Sequence, residues 1–395
     1  MTSLSDYFKG TASKYLSAVD AMPTSNQHEI GSNKFTAILG DPSTQKLRFN
    51  TTFLFFNPDV DEPESCTDTV TYYDTRLNQP NRRPEYRLYY RDNAVTEQLK
   101  KGDFCLIAVQ NNGDLLIAVA RPDSDHERRL RYLFDVENAQ AQWVVEKEID
   151  TQKLDFASQT ILEALGVEIK DSADEMLDRI VAKFGLRFPP TKEFSEFARH
   201  SLGSDLSAKD DPDRAIEEWM RQEERLFRSL ERAIVEVRLE QGFEAVDPFI
   251  AFSLSVQNRR KSRVGHAFEN HLEAVLKAND IRYQRGGRTE GNSKPDFLFP
   301  SETAYHDPNV SSPPLRMLAA KSTCKDRWRQ VLAEAARIPI KHLVTLETAI
   351  SQSQTQEMQA NHVQLVTPKS VKSTYTNAQQ VWILSLEQFV TLIKV

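Results

Sequence analysis

The hydrophobic pattern changes period part-way along this chain, and that change constrains the fold more than any single motif does. Between residues 30 and 150 the apolar residues come in short β-prone runs, at 35–39, 52–56, 69–73 and 104–109. Turn-forming stretches such as Asn57-Pro58-Asp59 and Asn111-Asn112-Gly113-Asp114 separate them. Asn112-Gly113 between two apolar runs is a hairpin signal, because both residues tolerate the positive φ of a tight hairpin turn. Many short strands at this spacing predict an all-β barrel or sandwich. From Phe156 the spacing becomes three and four residues: Ile161, Leu162 and Leu165, then Met176, Leu177, Ile180 and Val181. That is the period of a helix with one buried face. Longer helical patterns occupy 215–240 and 264–278, and short apolar runs return at 343–346 and 363–366. Helices alternating with strands predict an α/β core.

A length of 395 residues makes two domains the natural reading. The pattern divides them into a β domain over 1–150, a helical connector over 151–184 and an α/β domain over 185–395. With 39% hydrophobic and 27% charged residues and no long apolar run, the chain reads as globular, with no membrane span. The start, Met1-Thr2-Ser3-Leu4-Ser5-Asp6, lacks the basic and apolar stretches of a signal peptide. Cys66, Cys105 and Cys324 are too widely spaced for a disulfide framework or a zinc site, so a cytoplasmic location is expected. The net charge of −7 does not announce a nucleic-acid binder, but its distribution is uneven. Residues 315–341 hold seven basic residues against two acidic ones, and Arg259-Arg260-Lys261-Ser262-Arg263 is a second basic cluster.

The richest chemistry lies in the second half. In Lys294-Pro295-Asp296-Phe297-Leu298-Phe299 the apolar run predicts a strand with Asp296 at its start. The run 315–320 predicts a neighbouring strand that ends by presenting Lys321. Trp328, Val331, Leu332, Ala335 and Ala336 recur at helical spacing, which places Glu334 on a helix behind that lysine. Two carboxylates can hold Mg²⁺, and a lysine can steady charge on a phosphate under attack, so the set reads as a metal-dependent phosphodiesterase site. Many nucleases carry an acid two residues before the lysine; here that position is Ala319. Glu334, and Glu269 from the preceding helix, are the carboxylates available to replace it.

Several separated blocks in one order resemble the EcoRII-type (type IIE) restriction endonucleases, over residues 186 to 368. They are Ser255-Val256-Gln257-Asn258-Arg259-Arg260-Lys261-Ser262-Arg263, Thr289-Glu290-Gly291-Asn292, residues 294–300, and Lys321-Ser322-Thr323-Cys324-Lys325-Asp326-Arg327-Trp328-Arg329-Gln330. The resemblance implies a multidomain chain: an N-terminal all-β DNA-binding pseudobarrel and a C-terminal α/β restriction-endonuclease-like core. It implies catalytic roles for Asp296, Lys321, Glu334 and Glu269, with Mg²⁺ held by Asp296 and Glu334. Tyr305 falls in a matching block close to these. Lys325, Asp326 and Arg327 match the segment that reads the outer pairs of a double-stranded site of the form CC-(central pair)-GG. Arginine can bond guanine through two acceptors, and aspartate can accept from the amino group of cytosine. Around 219–224 the match is thin; Trp219 suits either a helix core or stacking on an extruded base.

In the first half, Tyr72-Tyr73-Asp74-Thr75-Arg76 and Asn81-Arg82-Arg83-Pro84-Glu85-Tyr86-Arg87 resemble the family's effector-binding domain. Arg76, Arg82, Arg83, Glu85 and Arg87 would form one DNA-gripping arm, and residues 32–34 part of the other. A homodimer is implied, since two sites are needed to cut both strands of a near-palindrome. A competing reading is a sequence-specific DNA-binding regulator with an inactive nuclease domain; the intact acid–lysine–acid set argues against it.

Overall fold

The computed structural model describes residues 3–394 apart from 22–28, 59, 61, 80, 138, 140, 152–153, 168–173, 204–205 and 311–313. The chain separates into two compact units, Met1–Ile169 and Lys170–Val395.

The first unit is built on eight strands: β1 (Phe8–Tyr15), β2 (Glu29–Gly31), β3 (Leu47–Phe56), β4 (Glu64–Asp74), β5 (Tyr86–Tyr89), β6 (Phe104–Gln110), β7 (Leu115–Ala120) and β8 (Val144–Glu146). They form one sheet in the order β2-β5-β4-β3-β7-β6-β1-β8. β3 and β7 run parallel, and the other pairs are antiparallel. The β6–β7 turn is the expected Asn112-Gly113 hairpin, with Gly113 at φ +95°. Successive residues of the central strands serve two cores, since side chains alternate between the faces of a strand. Phe53, Phe55, Ile107, Ile117 and Val119 join a core with Phe35, Tyr72 and Trp143. Leu54, Phe56, Leu106, Leu116 and Ala118 join another with Leu130, Leu133, Ile161 and Leu162. A sheet apolar on both faces must be covered on both. Helices Asp125–Leu133 and Phe156–Ala164 cover the second face, so this unit is not purely β. The run at 35–39 is a further departure. Instead of a strand it forms a 3-10 turn, Asn33–Phe35, and a helical turn, Thr36–Leu39, started by the Ser32 hydroxyl, which accepts from the Lys34 amide.

The stretch 151–184 does not behave as a separate connector, because its two helices belong to different cores. Ile161, Leu162 and Leu165 pack in the first unit, while Ile180 and Phe184 pack against Phe194, Phe197, Leu226 and Phe227 in the second.

The second unit opens with helices Asp174–Phe184, Thr191–Ser201, Pro212–Glu240 and Val246–Ala278. Pro212 begins its helix, where a missing N–H costs nothing, and Asp211 accepts from the Arg214 amide. Trp219 is buried between Arg199 and His271, so its place is in the helix core. Six strands follow in the spatial order β14-β13-β12-β11-β10-β9. They are β9 (Gln284–Arg285), β10 (Phe297–Phe299), β11 (Arg316–Lys321), β12 (Lys341–Thr345), β13 (Val363–Thr367) and β14 (Leu384–Ser385). β11 to β14 are parallel, and β9 and β10 are antiparallel additions. The parallel strands read as continuous apolar runs because both faces are buried. Among the described residues no helix is long and apolar enough to cross a membrane.

Candidate active site

The β10–β11 register creates the centre of the site. Phe297 pairs with Leu318, so Asp296, one residue earlier, lies across from Ala319. The Asp296 Oδ2 accepts from the Ala320 amide at 2.7 Å and from the Lys321 ammonium at 3.1 Å. Asp296 stands directly before its strand and Lys321 is the last residue of β11, as their sequence contexts predict. Ala319 and Lys321 share one face of β11 by alternation, and Ala319 is fully buried. An acid at 319 would therefore enter the same space that Glu334 approaches from outside the sheet.

Glu334 reaches that space by a different route from the one its helical spacing implies. Residues Lys325–Ala333 form a 3-10 helix that buries Trp328 and Val331, and Glu334 follows it with extended backbone (φ −88°, ψ 143°). Buried residues at i and i+3 suit a 3-10 helix as well as an α-helix, which is why spacing alone misplaces the glutamate. The next residue, Ala335, has φ +47° and turns the chain sharply.

Four groups hold this turn. Glu290 Oε2 accepts from the Ala336 amide at 3.0 Å, and the Tyr305 hydroxyl accepts from the Arg337 amide at 3.2 Å. That hydroxyl in turn donates to Glu290 at 2.6 Å. Lys341 donates to the carbonyls of Ala335 (2.7 Å) and Ile338 (2.8 Å). Arg337 is exposed, and its guanidinium is bonded to the carbonyls of Tyr305 and Asp307, so it also anchors the loop. Tyr305 is buried, and burial with the neighbouring Glu290 pushes its hydroxyl up to about 12. The structure places it as a support of the Glu334 turn. Glu290 and Lys341 have no role in the sequence reading. Glu290 stands in the quoted block 289–292, and nothing local marks Lys341.

Glu334 is the one strained charge of the set. Its Oε2 is buried with no hydrogen-bond partner. Burial raises its carboxyl above the usual glutamate range; Lys321 and Lys341 oppose the rise, and Asp296 adds to it. A carboxylate pair that includes an unpartnered buried oxygen, beside one lysine, fits a divalent cation coordinated by oxygen ligands. Among the described residues no cluster of three or more His, Cys, Asp or Glu side chains forms a ready metal cage, so such an ion would also need water or a phosphate oxygen. Glu269 is on the helix Val246–Ala278, and its carboxylate is paired with Arg285 at 2.8 Å; Arg285 also holds Glu273 at 3.0 Å.

The side chains of Lys325 and Asp326 lie outside the described residues. Arg327 is exposed, and its amide closes a turn onto the Cys324 carbonyl at 2.8 Å. In the first unit, Arg76 is bonded to Glu85 and to the Arg83 carbonyl, and Arg87 bridges Glu85 (2.7 Å) and Glu29. Arg82 and Arg83 are exposed at the tip of this loop. Residues 32–34 are stitched to it: Asn33 donates to the Pro84 carbonyl at 3.0 Å and accepts from the Tyr86 amide at 2.9 Å.

Residues 227–390 match the family model described as EcoRII C terminal. This stretch is similar to the C-terminal part of the EcoRII type. The type II restriction enzyme EcoRII of Escherichia coli is 42% identical over 207 residues, which are 52% of this chain and 50% of that enzyme. The match thus spans about half the length of the relative. The solved structures that resemble the chain include two DNA complexes. One is metal-depleted Ecl18kI in complex with uncleaved, modified DNA (20% identical, TM-score 0.46, 57% of this chain and 84% of that one). The other is a PspGI–substrate DNA complex (20% identical, TM-score 0.44, 52% and 92%).

Proposed function

We propose that this protein is a Mg²⁺-dependent type II restriction endonuclease of the EcoRII kind. In this reading it acts as a homodimer in the cytoplasm and cuts both strands of duplex DNA at a site of the form CC-(central pair)-GG. The observation that carries the reading is the convergence of Asp296, Lys321 and Glu334, with one carboxylate oxygen buried and unpartnered. Asp296 and Glu334 would hold the ion, which when bound lowers the pKa of a water and draws charge from the phosphate. Lys321, already aimed at Asp296, would donate to the phosphate oxygen on which charge builds, a contact that strengthens toward the transition state. The turn held by Glu290, Tyr305 and Lys341 would hold Glu334 toward the ion, and Glu269, now paired with Arg285, would be a further carboxylate of the site. Arg327, with Lys325 and Asp326, would read the outer base pairs.

The first unit is proposed as the effector domain, a pseudobarrel that binds a second copy of the site. Arg82 and Arg83 would meet DNA, while Arg76, Glu85 and Arg87 brace one another behind them. The test is incubation of the purified chain with a plasmid carrying such sites, with and without Mg²⁺, followed by sequencing of the fragment ends. Cutting should need the metal and occur at the site. It should vanish in Asp296→Ala, which should still bind the duplex, because affinity comes mainly from phosphate and base contacts. Appreciable cutting by Asp296→Ala overturns the assignment.

A further inference from the structure

The strand β9 is two residues long, yet it joins two of the carboxylates assigned to the site. Its second residue, Arg285, reaches across one turn of the helix Val246–Ala278. Its Nη2 donates to Glu269 at 2.8 Å, and its Nη1 donates to Asn270 Oδ1 at 2.9 Å and to Glu273 at 3.0 Å. Glu269 and Glu273 stand four apart and so share a helix face, with Asn270 beside them. The planar fork of an arginine can serve such a set at once, which the point charge of a lysine cannot. The backbone of the same segment is tied to β10. Arg285 lies opposite Phe297, and the next amide, that of Gly286, donates to the Asp296 carbonyl at 3.0 Å. Gly286 has φ +62°, a conformation that favours glycine, and a Cβ at Gly287 would meet Leu298 at 2.9 Å. The backbone here is pressed onto β10, and Arg285-Gly286 fixes where Glu269 stands relative to Asp296.

The three acceptors of Arg285 are not held equally. Glu273 also accepts from the Tyr283 hydroxyl at 2.9 Å and pairs with Lys277 at 3.1 Å. Asn270 is buried and donates to the Ser195 hydroxyl oxygen at 3.1 Å. Among the described residues Arg285 is the sole partner of the Glu269 carboxylate. That pair is open to water, with 29% of the arginine and 23% of the glutamate side chain exposed. An ion pair of this exposure contributes little and is readily broken, whereas breaking a buried one would strand a charge. When Glu269 turns away, Arg285 still has Glu273 and Asn270. Glu269 is therefore the one acceptor that the fork can release without orphaning a charge.

We propose that Arg285 is a positioning residue that holds Glu269 beside the site and gives it up to the divalent ion. In this exchange Glu269 trades a guanidinium for the ion, and Arg285 stays fixed on Glu273 and Asn270. The proposal rests on the reading of Asp296 and Glu334 as ion ligands, and it adds a third carboxylate whose own cation competes with the metal. Two consequences separate this role from plain structural support. Removing Arg285 strengthens binding of the ion, where loss of a mere support would weaken it. The gain also depends on Glu269, where loss of a distant positive charge would act with or without that carboxylate.

The probe is Mn²⁺ alone, which takes the same oxygen ligands as Mg²⁺ and whose free form is counted by electron paramagnetic resonance. It is titrated into the full chain without DNA, with circular dichroism as the control for folding. Arg285→Gln should lower the Mn²⁺ dissociation constant on the order of 3-fold, the size of a partly exposed ion pair that no longer has to be broken. Arg285→Lys keeps the charge and loses the fork, so it should move the constant the same way by less; it carries the test if Arg285→Gln does not fold. In a Glu269→Gln background, Arg285→Gln should have little or no effect. Weaker Mn²⁺ binding by Arg285→Gln, or the same gain with and without Glu269, overturns the proposal. So does unchanged Mn²⁺ binding with a loss of duplex affinity, which would make Arg285 a phosphate contact. Mn²⁺ binding that Asp296→Ala abolishes but Arg285→Gln leaves alone sinks the proposal and leaves the ion site standing. Binding untouched by Asp296→Ala sinks the ion site, and the exchange with it.

Discussion

Glu334→Gln separates what this side chain costs the fold from what it does in the site. In the metal-free protein the glutamate places a buried, unpartnered carboxylate oxygen beside Asp296. Burial and Asp296 together outweigh the attraction of Lys321 and Lys341, so the folded pKa lies above that of the unfolded chain. A group of this sign favours the fold at low pH, and its contribution is lost as pH rises through the folded value. Glutamine does not titrate and nearly matches the shape, so the variant should be the more stable protein at pH 7.5 without metal. A buried unsatisfied group costs about 1–3 kcal/mol. The side chain is only half-buried, and solvent screening places the effect near the lower end, about 1 kcal/mol. For a unit of this size that is a rise in Tm of roughly 2–4 °C. With Mg²⁺ the order should reverse. At a hundredfold excess over Kd, a bound ion stabilises the wild type by about 2.7 kcal/mol, and the variant should lose most of that. The assay is thermal unfolding of both proteins in EDTA and across a Mg²⁺ titration, at pH 7.5 and near pH 4.5. The advantage of the variant in EDTA should shrink at the lower pH, because the raised carboxyl takes up its proton as pH falls. A variant less stable than the wild type in EDTA, with an unchanged response to Mg²⁺, would refute the reasoning.

Other outcomes follow from the same geometry. Arg327→Ala should lower binding to the cognate duplex by roughly 1–3 kcal/mol with little effect on unrelated duplexes; equal losses on both, read by fluorescence anisotropy, would remove its base-reading role. Tyr305→Phe leaves the Arg337 amide without its acceptor and should raise the Mg²⁺ concentration needed for half-maximal cutting, with only a small change in the saturated rate. A loss confined to the saturated rate would instead point to direct participation of the hydroxyl. A fragment 170–395 should fold alone and cut one-site plasmid faster than the full chain, whereas short cognate duplexes should speed only the full chain. Starting the fragment at Gly185 should cost stability in a urea melt, because it removes Ile180 and Phe184 from their core. Equal rates for fragment and full chain, indifferent to added duplex, would leave the first unit without a gating role.

Local pattern determined much of this molecule. The strand that begins after Asp296, the strand that ends at Lys321, the Asn112-Gly113 hairpin and the helix Pro212–Glu240 were legible, because each depends on side-chain period and turn chemistry within a few residues, whereas the helix Val246–Ala278 starts well before the 264–278 pattern that announced it. The pairing of Asp296 with Lys321 was legible too, through two short strands that each had to place one polar residue at an end. Other features were settled between segments far apart in the chain. Glu334 leaves its helix because two amides and two carbonyls near it are captured by Glu290, Tyr305 and Lys341. Arg337 is an anchor for the same reason, since its acceptors lie about thirty residues away in sequence. The apolar run at 35–39 becomes a turn because Phe35 serves a core shared with Tyr72 and Trp143. The division of 151–184 between two units likewise depended on which distant side chains each helix met. Periodicity reports which face of a segment is apolar; the tertiary structure decides what that face packs on, and therefore where its charged neighbours end.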